Sequence, residues 1–494
     1  MAQGKQNTAE ADVLERLTAA AIDNRAHNVR YRQYQLSSLY TFLCQNGDAV
    51  CKLIAQDSGY TREETEVEYY MTMSSIRSLF DQLDLDTALE QEYAVSKNKD
   101  KTYGRVPIGI VVIRPGAHSR LFSIMSPLAA AIAAGNCAVV ELPQNLRALD
   151  SFLRSSLTVL DNDAFALLAS KITDAGFLSK CLIVDQTAPA RDLARTLAQS
   201  DQELCIAVVD RTADVAQAVD DICLARFAFG GRSPYAPDLV VVNEWIRDEF
   251  VAACLQRMTH EVASGTFNNE TATRQQQQPN GSANGQERVL FDTSHVSLID
   301  VNRNAKISKT TGCRLAITST TGLIDAVAIA SKQPSAPLLA VYTFADMLTC
   351  NFLGQQIDAQ VAVANEIPVS LLVGPPRPLT PVSPNDLDLR YEPAMMSKPK
   401  PEQVRHSLPA VATLMAGLIN SKASNATNEN VVRQLRKQAI KPLRLIGQES
   451  GSSMGFFDQG LITGLVAFVL PSLAVVGYGV LKIVQIGWRY YQAA

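Results

Sequence analysis

The chain is poor in the features that mark several large protein classes. Aromatic residues make up 6% of its 494 residues, with only 2 tryptophans, and no stacking or finger signature for nucleic acid is found among them. Its five histidines (27, 118, 260, 295, 406) fall outside any metal-binding motif. The nine cysteines are scattered, with no C-x-x-C pair and no Cys-His cluster, so neither a metal centre nor a disulfide framework is expected. They read as small buried apolar residues of a reducing compartment. Basic excess is missing as well: 45 Lys and Arg stand against 49 Asp and Glu, a net charge of -4 that offers nucleic acid no positive field. The first 28 residues are polar and contain no apolar stretch of a secretory signal.

Apolar content is what the chain does have, at 47%, enough for two or three sizeable cores. It also has one long uncharged run. Residues 461–481 carry no charge and as a helix would be about 31 Å long, the thickness of a bilayer's hydrocarbon core. Lys482, Trp488, Arg489, Tyr490 and Tyr491 follow as an interfacial girdle. This predicts a single-pass tail anchor in the endoplasmic reticulum or mitochondrial outer membrane; a buried hairpin broken at Pro471 is the alternative. Upstream, Arg433, Arg436, Lys437, Lys441 and Arg444 outnumber the two basic residues after the span, so the bulk of the chain is expected to face the cytosol. The sequons at Asn269, Asn280 and Asn425 would then stay unmodified.

Helical spacing runs from Ala11 to about Asp84. Then strand-like and helix-like stretches alternate: strand Tyr103–Ile113, helix Ile124–Ala134, strand Gly135–Val140, strand Cys181–Val184, helix Ala190–Gln199, strand Leu204–Val209, helix Asp214–Ala228 and strand Leu239–Val242. Such alternation implies parallel sheets with helices on their faces. Residues 265–287 are polar and Gln/Asn-rich and read as a disordered loop. Order is expected again at His295–Asp300, Arg314–Thr318 and Leu338–Phe344. The domains expected are 1–209, 210–372, a Pro-rich linker with a basic helix at 373–455, and the anchor with its tail at 456–494.

Three stretches carry a resemblance: PLAAAIAAGN (127–136), GRSPYAPD (231–238) and LAVYTF (339–344). Their content, order and spacing resemble the aldehyde dehydrogenase superfamily over about residues 11–400, and the anchor is arranged as in fatty-aldehyde-dehydrogenase-like proteins of filamentous fungi. The resemblance implies an α/β fold of two Rossmann-like parallel-sheet domains followed by the membrane helix. It also implies a degenerate site. The family's Gly-Gln-Thr-Cys-x-Ala-Pro-Asp stretch aligns with Gly231 to Asp238, which puts Pro234 in the slot of the cysteine nucleophile. Proline has no thiol and no N–H with which to hold an oxyanion.

The other slots implied by the resemblance fail in the same direction. Ala117 stands where the oxyanion-binding asparagine belongs, Leu142 where a lysine grips the cofactor ribose, and Gln186 and Arg191 where a glycine turn meets the pyrophosphate. Lys309 falls near the second ribose-binding glutamate, a reversal of charge. Glu203 is a weak match to the general base. The expectation is a membrane-anchored pseudoenzyme, with no cofactor or else NAD(P), that acts as a scaffold or hydrophobic-ligand binder in a biosynthetic or lipid-related pathway, as a homodimer or with pathway enzymes. The alternative is altered chemistry, or residual NAD(P)-dependent oxidation of a lipophilic aldehyde, for which His118, Glu203, Arg232, Ser233 and Tyr235 are the candidate actors.

Overall fold

A computed structural model describes residues 2–93, 96, 104–142, 147–187, 195–198, 202–263, 287–334, 337–378, 389–400, 411–412, 425–442 and 456–493. The Gln/Asn-rich stretch, the sequons at Asn269 and Asn280, Arg191 and Arg444 lie outside the described residues. The chain forms two compact units, Met1–Glu402 and Gln403–Ala494.

The first unit opens with the expected helices: Ala2–Ile22, Val29–Gln45, Gly47–Ser58 and Arg62–Asp81. Of the residues that set the helical spacing, Leu36, Leu39, Leu43, Val50 and Ile54 are fully buried and Leu53 is partly so. The helix Arg62–Asp81 starts at a capping box, in which Thr61 accepts from the Glu64 N–H and Glu64 accepts from the Thr61 N–H.

Strands β1 (Arg105–Pro107), β2 (Ile110–Arg114), β3 (Cys137–Glu141), β4 (Phe165–Leu168), β5 (Leu182–Asp185) and β6 (Thr196–Ala198) follow. Five of them make a parallel sheet in the order β4-β3-β2-β5-β6. The expected single strand 103–113 is therefore two, broken at Gly109 with φ +121°. The helix expected at 190–199 is corrected at Thr196–Ala198, which is a strand beside β5, while residues 190–194 and 199 lie outside the described residues.

A second sheet holds β7 (Cys205–Val209), β8 (Leu239–Asn243), β9 (Glu287–Asp292), β10 (Ser297–Val301), β11 (Arg314–Thr320), β12 (Leu338–Phe344) and β13 (Ala359–Ala364). Its order is β13-β12-β7-β8-β11-β10-β9, parallel except for β9. Every residue of β7, β8 and β12 is buried, as expected of strands covered on both faces. Strand β7 lies in the middle of this sheet, so residues 205–209, assigned from sequence to the first domain, hydrogen-bond within the second.

The expected linker from 373 onward is likewise corrected over residues 389–400. Strand β14 (Ser397–Pro399) pairs antiparallel with β1, and Arg390, Tyr391 and Met396 are buried. A stretch written in Pro and charged residues folds back because its few large side chains find buried partners elsewhere in the chain.

In the second unit, Asn425–Ala439 is an exposed basic helix. Phe456–Gly464, a wide π turn at Leu465–Val469 and Leu470–Ala493 form one continuous helical run. The π turn ends two residues before Pro471, which lacks an N–H and would clash with an α-helical carbonyl one turn back. Residues Gln459–Ile486 make one candidate membrane span by length and composition, with mean hydropathy 2.1.

Candidate functional site

In an open parallel sheet, ligands are held in the crevice at the carboxyl ends of the strands where the order reverses. In the first sheet that point lies between β2 and β5. Both strands end in charge. Arg114 at the end of β2 pairs with Glu141 at the end of β3 (3.0 Å) and with Asp185 at the end of β5 (3.4 Å). Asp185 also accepts from the Thr187 N–H and hydroxyl, and Glu141 from the Ile172 N–H.

Gln186 fills the space beside this ion group. Its Oε1 accepts from the Gly116 N–H at 2.8 Å and its Nε2 donates to the Ser123 carbonyl at 2.8 Å. A slot read from sequence as a degraded phosphate turn thus contains a buried, satisfied glutamine. Leu142 is equally buried and continues β3, its N–H donating to Leu168 O. An NAD(P) molecule in the family's manner needs bare backbone near a pyrophosphate and hydroxyl-binding side chains on the ribose. Gln186 and Leu142 supply neither, and Asp185 adds an anion; the described residues do not fit the group.

The Gly231–Asp238 stretch lies at the amino end of the second sheet, where the Asp238 N–H donates to Cys205 O. Gly231 has φ +67°, and a Cβ there would lie 2.3 Å from the Gly312 backbone, so this glycine is required by packing. Arg226, fully buried, donates to the carbonyls of Gly231, Thr310, Gly312 and Pro237 and sits 3.5 Å from Asp238. Lys309 pairs with the other oxygen of Asp238 at 2.9 Å and donates to the carbonyl of Pro234. Its ammonium is therefore committed to the loop, in a role other than ribose recognition.

Pro234 is buried, and Ser233, Tyr235 and Asp238 beside it are 2%, 0% and 0% exposed. The Ser233 hydroxyl accepts from the Tyr235 N–H at 3.3 Å. The Tyr235 phenol accepts from the Arg377 N–H at 3.0 Å, its carbonyl accepts from the Tyr342 phenol, and Arg390 lies over its ring at 5.0 Å. Burial raises the pKa of the Tyr235 phenol above its ordinary value. Arg377 in turn pairs with Glu392 at 2.7 Å.

His118 and Arg232 come together around Tyr60. The His118 Nε2 stands 2.8 Å from Leu372 O and must donate there, so its Nδ1, 3.0 Å from the Tyr60 phenol, accepts. Burial pushes His118 down to about 4, which keeps it neutral. His118 is thus a partly buried histidine with both nitrogens engaged. Arg232 lies over the Tyr60 ring at 4.8 Å and donates to Ser58 O. Ala117 is exposed, with no side-chain amide to offer. Glu203 accepts from Gln360 at 2.7 Å at the mouth of β13. Arg191 is outside the described residues.

Sequence reading missed the Arg114–Glu141–Asp185 group, though charges ending two apolar strands were a visible sign. It also missed Cys205, whose thiol donates to the Pro234 carbonyl at 3.3 Å, 4.0 Å from the Lys309 ammonium. Burial pushes that thiol up to about 12 while Lys309 pulls it down.

Residues 3–153 match the aldehyde dehydrogenase family. The chain is 27% identical over 270 residues to aldehyde dehydrogenase family 3 member B1 of Bos taurus, covering 50% of this chain and 57% of that one. It is 24% identical over 251 residues to 4,4'-diaponeurosporen-aldehyde dehydrogenase of Staphylococcus aureus, covering 46% and 53%. The chain thus spans little more than half the length of the curated relatives it matches. Among solved structures it is similar to substrate-bound Staphylococcus aureus AldH, with a TM-score of 0.63, 16% identity and coverage of 86% of this chain and 99% of that one. A glyceraldehyde-3-phosphate dehydrogenase from Methanocaldococcus jannaschii, complexed with NADP, follows at a TM-score of 0.59 and 14% identity, covering 80% and 94%. The chain is thus similar to the aldehyde dehydrogenase family in its amino-terminal residues and to curated aldehyde dehydrogenases over about half its length, and it shares their fold.

Proposed function

We propose that this is a membrane-anchored aldehyde-dehydrogenase-like protein that has left aldehyde oxidation and acts by binding, as a scaffold or as a holder of a hydrophobic ligand in a lipid-related or biosynthetic pathway. The observation that carries the reading is Pro234, buried in the nucleophile slot with its carbonyl bonded by Lys309 and Cys205. Lost groups have been replaced by structural ones: Gln186 bridges Gly116 and Ser123, and the Arg114 ion group holds the strand ends together. Such replacement supports a chain selected for folding and surface, with no resident NAD(P). The candidate span Gln459–Ile486 supports a single-pass anchor, and the basic residues before it support a cytosol-facing bulk. The fungal resemblance points to a specialised pathway, and pairing with itself or with pathway enzymes would use the family's dimer surface.

The test is oxidation of long-chain aldehydes by the purified full chain with NAD or NADP, read as reduced cofactor. No signal above the blank is expected, from the wild type or from Pro234→Cys, because a thiol alone restores neither the oxyanion donor nor the cofactor crevice. An aldehyde-dependent signal that a Pro234 or Ser233 substitution abolishes would overturn the reading.

One observation favours residual or altered chemistry, the Cys205 thiol beside the Pro234 carbonyl. That route needs the thiolate, which burial opposes. Any activity lost in Cys205→Ala would select it.

A further inference from the structure

We propose that the helix Asn425–Ala439 and the residues just after it lie on the anionic face of the same bilayer that holds the span, so that the chain grips the membrane twice. The inference rests on reading Gln459–Ile486 as membrane-spanning. Arg433, Arg436, Lys437 and Lys441 are exposed, and no acidic residue occurs between Asn430 and Gln448. On a helical wheel, Arg433, Lys437 and Lys441 follow one another at four-residue steps, while Val432, Leu435 and Ala439 take an adjoining face. Val432 is 48% exposed, Ala439 is exposed and Leu435 is partly so, so this apolar face is open within its own unit.

A basic stripe beside a narrow apolar one is what an interfacial helix needs: cations among headgroups and aliphatic side chains at the acyl boundary. The tether decides the occupant. Residues 442–458 can reach at most about 60 Å when fully extended, which keeps the helix within reach of the bilayer in every conformation. The bilayer leaflet facing the cytosol carries the complementary charge, and each basic residue near it strengthens attachment roughly fivefold. The second grip would limit how far the folded unit can stray from the membrane.

The full chain is reconstituted in nanodiscs of pure phosphatidylcholine and of phosphatidylcholine with phosphatidylserine, and amide hydrogen exchange is followed over 425–441. Exchange is expected to slow at least tenfold in the anionic discs, to recover in high salt, and to recover in the variant Arg433→Gln, Arg436→Gln, Lys437→Gln, Lys441→Gln. Equal exchange in both discs, with 459–486 protected, would overturn this inference and leave the anchor standing. Rapid exchange throughout 459–486, or release of the chain by alkaline carbonate, would instead overturn the anchor reading on which it rests.

Discussion

Single residues show how packing holds the Gly231–Asp238 stretch in place. Gly231 is kept because its backbone lies on Gly312, where a Cβ would come within 2.3 Å of main-chain atoms that cannot move aside. Gly231→Ala should cost about 3 kcal/mol or more in denaturant unfolding, from backbone strain and clash together. An unchanged midpoint would contradict that packing role. Asp238 is kept because Arg226 and Lys309 close on it. Glu68 offers a second residue-scale test. Fully buried, it accepts from the N–H groups of Leu121 and Phe122 at a helix start, while its other oxygen has no partner. Burial pushes its carboxyl up to about 7 against those bonds. A carboxyl raised on folding is more protonated in the folded chain, so stability present at low pH is lost as pH rises from about 4.5 to 7. Glu68→Gln should escape that loss, gaining up to about 3 kcal/mol relative to wild type between pH 5 and pH 8. His118, held low, acts in the opposite sense below 6.5, and comparison with wild type removes it. Parallel pH profiles for the two proteins would sink the assignment.

At the scale of elements, what was legible in the sequence was whatever depends on neighbours in sequence. The amino-terminal helices, the Arg120–Ala134 helix and strands β7, β8 and β12 follow from local spacing and apolar runs. Elements defined by distant partners were not legible. Thr196–Ala198 has too little length to announce a strand and becomes one only beside β5, and Ser397–Pro399 only beside β1. The site divides in the same way. The motifs name Pro234, Ala117 and Leu142 as slots of the resemblance, whereas the engagement of Gln186 with Gly116 and Ser123, or of His118 with Tyr60 and Leu372, joins segments far apart in the chain. The carboxyl-terminal run makes its own prediction. Alkaline carbonate should leave the full chain in the membrane fraction, whereas Val475→Lys with Val476→Lys, about 3 kcal/mol each at a helix centre, should release it. Release of the unaltered chain would contradict a spanning helix.

Across the whole molecule, the two sheets of an aldehyde-dehydrogenase-like fold are present. Arg114, Glu141, Asp185 and Gln186 meet at the strand ends of the first sheet, and Lys309, Arg226 and Tyr235 hold the loop of the second. On the proposed reading, this chain does not take up NAD(P). Calorimetric titration of the full chain in nanodiscs with NAD and NADP tests it most directly. No binding heat is expected at millimolar cofactor; binding in the micromolar range would contradict the account and return redox chemistry to the surroundings of Pro234.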